Sequence, residues 1–83
     1  MTKEEISACI KEEIGSLLEI DPGSIDEKED FIKLGLSSVQ SLKIVNRIRK
    51  KLDVDINPVA MFEYKSISRF SEYLSVSNEL SKI

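Results

Sequence analysis

The 83-residue sequence predicts an all-α fold, a small antiparallel bundle of three longer helices plus one short helix. Apolar residues recur at helical spacing in three separate stretches, and each stretch opens on a residue able to cap a helix. The only β-branched alternation, Asp53-Val54-Asp55-Ile56, lies between two of those stretches and lacks a partner run to pair with. Residues 1–83 make one domain, with an expected radius of gyration of about 12 Å.

The first helix begins at Thr2, which stands three residues before Glu5. In this capping-box spacing the threonine oxygen accepts a first-turn N–H and the carboxylate reaches back to the cap. Ile6, Ile10, Ile14, Leu17 and Leu18 then draw one apolar stripe, so the helix ends near Leu18. Cys9 borders the stripe and reads as a small apolar residue, because only Lys3 and Lys11 nearby are cationic enough to activate a thiol.

Residues 19–37 form a long connection with a strong turn signal at Asp21-Pro22-Gly23-Ser24, where proline sets one dihedral and glycine permits a positive one. Ile25, Phe31, Ile32 and Leu34 are its apolar anchors, with one short helical turn expected around Phe31. The second helix opens with Ser37 as N-cap and Gln40 three residues on, and runs through Leu52 with Val39, Leu42, Val45, Ile48 and Leu52 expected against the core. Asn57-Pro58 predicts a short helix over 58–62, since a proline in the first turn forfeits no hydrogen bond. Ser66 caps the last helix, which carries Ile67, Phe70, Tyr73 and Leu74, and residues 75–83 are polar enough to fray.

Composition narrows the function. Apolar residues at 41% and charged residues at 33% describe a soluble globular chain, and no apolar run approaches the ~20 residues that span a bilayer. The start, Met1-Thr2-Lys3-Glu4-Glu5, lacks the basic and apolar segments of a secretion signal, so a cytoplasmic monomer with no membrane role is expected. A single cysteine and no histidine exclude an internal disulfide, a Cys/His zinc site and a histidine-activated nucleophile. A carboxylate pair or a perturbed lysine would need a desolvated cleft, which so thin a domain hardly provides, and the expectation is a protein that catalyses nothing itself.

Charge is unevenly spread. Residues 1–37 carry net −6, residues 38–52 net +5 and residues 53–83 net −2, so the second helix is a basic stripe on an acidic body. Arg49, Lys50 and Lys51 complement the negative end of the helix dipole. Lys43 and Arg47 are left to steer partners with acidic or neutral docking patches. A net charge of −3 and the lack of interleaved aromatic residues exclude nucleic acid as the partner.

Leu34-Gly35-Leu36-Ser37-Ser38-Val39 places the Ser38 hydroxyl on the first turn of the second helix. The first N–H groups there lack internal partners and the dipole supplies about half a positive charge, so a phosphodiester would be favoured. The segment resembles the modification site of acyl carrier proteins. In that family the serine of a Leu-Gly-x-Asp-Ser-Leu pattern carries 4′-phosphopantetheine, and the resemblance places the arm on Ser38, with Ser37 standing where the family usually has Asp. Gly35 and Val39 match the pattern in this register and not with Ser37 as acceptor, while Ser41 lies a turn too deep. Gly35, lacking a Cβ, lets the loop turn tightly and leaves the hydroxyl accessible.

The resemblance covers most of the chain. Phe31 looks like the aromatic of the family's Phe-x-x-Leu-Gly approach, and Asn57-Pro58-Val59-Ala60-Met61-Phe62-Glu63-Tyr64-Lys65-Ser66-Ile67 is similar to the Asn-Pro-x-x-Leu-Phe-x-Tyr-Pro-Thr-Ile stretch of polyketide-synthase carriers, with Lys65 in place of the proline. It implies an acyl carrier of polyketide type, modified by a phosphopantetheinyl transferase with coenzyme A as donor. The carrier would hold acyl groups as thioesters for a ketosynthase, acyltransferase or other acyl-processing enzyme of polyketide or fatty-acid biosynthesis. Leu36, Ser37, Val39, Lys43, Ile44, Arg47, Val59 and Met61 are the expected contacts for the arm or a partner. Val39, Ile44 and Met61 are expected to be exposed, with Leu42 and Phe62 packed in the core. Ile44 stands where carriers that serve β-branching often have tryptophan, which argues against that subtype. Two other readings stand beside this one: a peptidyl or aminoacyl carrier with the same arm, and a helical interaction module in which Ser38 is only a cap.

Overall fold

The computed structural model describes the backbone of residues 2–80 and the side chains of residues 2–76. Four helices follow one another: α1 (Lys3–Leu18), α2 (Ser38–Leu52), α3 (Ala60–Glu63) and α4 (Ile67–Leu80), with a 3₁₀ turn at Pro22–Ser24 in the long connection. The radius of gyration is 11.7 Å. α1 packs most extensively on α4 and next on α2, while α2 holds α3.

The capping chemistry read from the sequence is in place. Thr2 accepts the Glu5 N–H and Glu5 accepts the Thr2 N–H. Both α1 and α2 end on residues in the left-handed conformation, Glu19 (φ 58°) and Asp53 (φ 52°), whose N–H groups bond back to Gly15 and Arg49. α3 starts at Ala60, two residues later than the Asn57-Pro58 signal suggests. Asn57 instead closes a turn, its carbonyl accepting the Ala60 N–H at 2.9 Å and its side chain the Val59 N–H at 3.1 Å. α4 is capped by Ser66, whose Oγ accepts the Arg69 N–H at 3.3 Å. The helix continues to Leu80, past the expected start of the frayed tail, and residues 81–83 of that tail lie outside the described residues.

The core is built from the predicted stripes of α1 and α4 together with Ile25, Phe31 and Leu36 of the connection; of the other expected anchors Leu34 packs half-buried against it, and Ile32 is exposed because it lies on the outer side of the turn. Phe31 and Phe70 meet edge to face at 6.3 Å, an arrangement worth roughly 0.5–1.5 kcal/mol beyond its buried area. α1 and α4 approach at small residues. Ser7 donates to Ser71 at 3.0 Å, and Ser71 donates on to the Ser68 carbonyl at 3.1 Å, so this buried pair is satisfied. Backbone bonds then pin the connection to the start of α4. Phe31 N–H donates to the Lys65 carbonyl at 2.8 Å and Ser68 N–H to the Glu27 carbonyl at 2.9 Å, and Asp30 and Ser66 form an isolated antiparallel bridge.

The inward face of α2 differs from the expected one. Ser41, Ile44, Val45 and Ile48 are buried, whereas Val39 and Leu42 are exposed. The reason is helical phase. Residues three apart turn through about 300°, so a stripe counted in threes from Ile48 through Val45 to Leu42 and Val39 drifts about 60° per step and leaves the core. Ile44, four residues from Ile48, stays within about 40° of it and takes the inward position.

Candidate functional site

The approach to α2 is a hydrogen-bonded turn that closes on itself. Leu34 N–H bonds to the Asp30 carbonyl, Gly35 N–H to Ile32 and Leu36 N–H to Phe31. The last two bonds form a Schellman pattern with Gly35 in the left-handed position, at φ 104°, which a side chain resists. Its usual hydrophobic partners are Phe31 and Leu36, both buried. This is the helical turn expected around Phe31, and it aims the chain into α2. The space where a Gly35 Cβ would stand is open, with no atom within 4 Å, so the face beside the helix start is unobstructed.

Ser37 is the N-cap of α2. Its Oγ accepts the Gln40 N–H at 3.2 Å, and its own N–H donates to Gln40 Oε1 at 2.9 Å. The Ser37 hydroxyl is thereby occupied. Ser38 follows as the first helical residue, exposed, its hydroxyl without a hydrogen-bond partner among the described residues. No acid stands in the first turn of α2, so the positive end of its dipole is uncompensated. Ser41 is buried.

Beside Ser38 lies a groove of about 270 Å³. Phe31, Ile32, Leu36, Met61 and Phe62 supply its apolar walls, with Asp30 and Lys65 at its polar edge. Of the expected contact residues, the groove gathers only Leu36 and Met61 around the serine. Two expectations need correction. Ile44, at 0% exposure, is core and not an exposed residue, for the helical-phase reason given above. Met61, at 2% exposure, is a buried groove wall, and the larger Phe62 stands outward at 40%, because the short α3 turns Ala60 and Met61 inward. Val39 (63%), Val59 (46%) and Leu42 are exposed, so Val39 is open to contact although the stripe of α2 places it against the core.

The cations also separate. Arg47 pairs with Glu13 at 3.4 Å, and Lys51 with Glu12 at 3.4 Å and Glu13 at 3.7 Å, so these two brace α2 against α1. Lys43 is exposed and has no ion pair among the described residues. Sequence reading misses Ile32 and Lys65 as neighbours of the serine, and weighs Phe62 toward the core although it stands in the groove wall. Ile32 and Phe62 carried a signal, being large apolar residues beside tight turns, but Lys65 becomes a neighbour only through the bridge that brings the start of α4 to Asp30. Among the described residues no helix is long and apolar enough to cross a membrane, and no cluster of side chains is arranged to hold a metal.

Residues 9–74 match the family described as "Phosphopantetheine attachment site". The chain belongs to that family. Its members are carriers to which 4′-phosphopantetheine is covalently attached. Over 72 residues, 87% of its length, the chain is 31% identical to the polyketide synthase PksN of Bacillus subtilis. A second relative, polyketide synthase 2 of Metarhizium robertsii, is 36% identical over 56 residues, 68% of the chain. The chain spans about 1% of PksN and about 2% of the synthase PksM, also of Bacillus subtilis. The fold is shared with a free-standing peptidyl carrier protein from Acinetobacter baumannii at TM-score 0.84, 24% identity, and coverage of 90% of this chain and 94% of that one. It is shared equally with the HMG-ACPI domain of the CurA module from Lyngbya majuscula at TM-score 0.85, 18% identity, and coverage of 99% and 83%.

The residues present fit the prosthetic group. A free, exposed hydroxyl at an uncompensated helix start suits a phosphodiester, and the apolar groove beside it suits the chain that follows.

Proposed function

We infer that Ser38 carries the 4′-phosphopantetheine and that the chain holds acyl intermediates on it for polyketide biosynthetic enzymes. One observation carries the reading: of two adjacent serines, Ser37 spends its hydroxyl on the cap while Ser38 presents its own to solvent. The arm supplies a thiol on which an acyl group is held as a thioester. The protein's own part is to present, steer and shelter. Ser38 Oγ is the acceptor atom, and the free N–H groups at the start of α2 face a phosphate attached there.

Val39 and Leu42 on α2, Val59 just before α3 and Phe62 on α3 are exposed apolar residues on the elements beside the serine, suited to brief contact with the transferase, a ketosynthase or an acyltransferase. Lys43 is the cation of α2 best placed to steer them, because Arg47 is already matched by Glu13. That the curated relatives are polyketide synthases supports acyl over aminoacyl cargo.

The test is intact mass after incubation with coenzyme A and a broad-specificity phosphopantetheinyl transferase. Wild type and Ser37→Ala gain the arm's mass, and Ser38→Ala does not. A mass gain that survives in Ser38→Ala refutes the assignment.

A further inference from the structure

Three cations gather at one place away from the basic face of α2. Lys28 of the connection, Lys65 just before α4 and Arg69 in its first turn line a cleft of about 250 Å³ with Asp30 and Ser66. None of the three forms an ion pair among the described residues, whereas Lys11, Arg47 and Lys51 each do. Asp30 is the one carboxylate on the cleft wall, and its Oδ1 is turned to the Ile32 N–H at 2.8 Å.

The arrangement works against local stability. Lys65 and Arg69 stand at the positive end of α4, whose first turn contains no acid, so the dipole and the like charges both oppose them. α1 shows the favourable pattern, with Glu4 and Glu5 in its first turn. Three cations beside a single carboxylate, two of them at the positive end of a helix, mark a place where stability is traded for binding.

Position tells what would bind. Asp30 and Lys65 line both this cleft and the groove that contains Ser38, so the two lie side by side and share a wall. Lys65 is where the apolar groove of Phe31, Ile32, Met61 and Phe62 adjoins Lys28 and Arg69, within reach of an elongated ligand that leaves Ser38 along that groove. We propose that Lys28, Lys65 and Arg69 form an anion subsite for the free carboxylate of a dicarboxylic acyl cargo, an acyl group tethered at one end and ionised at the other. The inference rests on Ser38 being the attachment point. The planar fork of Arg69 and the ammonium groups of the two lysines make charge-assisted hydrogen bonds to such a carboxylate, and the concave wall concentrates their field.

The test compares two cargoes on the full chain. Mass gain with coenzyme A and a phosphopantetheinyl transferase, lost in Ser38→Ala, first locates the arm. The arm is then loaded with succinyl or with butyryl, which have equal carbon number and differ in the terminal carboxylate, and amide chemical shifts are recorded by NMR. Succinyl is expected to move the Lys28, Lys65, Ser66 and Arg69 amides, and butyryl to leave them where the unloaded arm has them. The Lys28→Glu/Arg69→Glu variant, altered only at exposed side chains outside the groove that contains Ser38, should keep its mass gain and lose the succinyl shifts, and high salt should shrink them in wild type. Equal shifts with both cargoes, or succinyl shifts that persist in the double variant, overturn the subsite and leave Ser38 as the attachment point. Failure of the mass gain at Ser38 overturns both.

Discussion

Replacing the two adjacent serines one at a time separates a cap from an acceptor. Ser37→Ala removes the oxygen that accepts the Gln40 N–H at 3.2 Å and loosens the return bond from Ser37 N–H to Gln40 Oε1. Loss of such a cap costs about 1 kcal/mol, within a range of roughly 0.5–2. In a domain of this size about 1 kcal/mol lowers the melting temperature by roughly 4–8 °C. Ser38→Ala removes an exposed hydroxyl with no partner among the described residues and installs the best helix former, so its stability stays within about 0.5 kcal/mol of wild type. Ser37→Asp keeps the cap and adds a charge opposite an uncompensated dipole, for a gain of about 0.3–1 kcal/mol that fades as salt rises. Thermal melts followed by far-ultraviolet circular dichroism, paired with the mass assay, read all three. The reasoning fails if Ser38→Ala melts lower and Ser37→Ala does not, because the cap and the acceptor would then be shifted by one residue.

Other expectations follow from the same geometry. Gly35→Ala must place a Cβ on a residue at φ 104°, and with nothing nearby to clash the cost is torsional, about 1–2 kcal/mol by thermal melt; a wild-type melting temperature would refute it. The Glu5 carboxyl is held below its ordinary 4.5, first by the bond from the Thr2 backbone and then by the Thr2 hydroxyl. Its folded value being depressed, its contribution is present above about 4.5 and is lost as pH falls through the lower folded value, so Glu5→Gln should flatten stability against pH in that acid range and nowhere else. Lys43→Glu should slow acyl transfer to a partner severalfold at low salt and little at high salt, whereas Arg47→Gln should do much less, since Glu13 already balances Arg47. Equal rates for Lys43→Glu and wild type at every salt concentration would remove the steering role.

Much of the site is legible in sequence because its cause is local. Ser37 and Gln40 cap α2 through atoms three residues apart, and Gly35 is required by a dihedral set within its own turn. The outward side of α2 and α3 was harder to read. Leu42 and Phe62 look like core by size, yet both stand at the surface while Ile44 and Met61 are buried. A stripe counted in threes and one counted in fours give different inward faces over so few turns, and only the packing of α1 on α2 selects between them. The ion pairs of Arg47 and Lys51 lie beyond local patterns for a related reason. They reach Glu12 and Glu13 on α1, more than thirty residues away in sequence.

By itself the sequence determined the three longer helices, their N-caps, the turn before Ser38 and the family to which the chain belongs, because each depends on bonds or patterns that close within a few residues. Tertiary structure decided which apolar residues wall the groove, which cations of α2 stay free, and that Lys65 and Arg69 meet Lys28 and the groove at Asp30. Those outcomes depend on the bridge from Asp30 to Ser66 and on the fit of α1 against α2 and α4. Contacts between segments so far apart in the chain form only once the loop-closure entropy has been offset by burial of the shared core, and no local pattern encodes that balance.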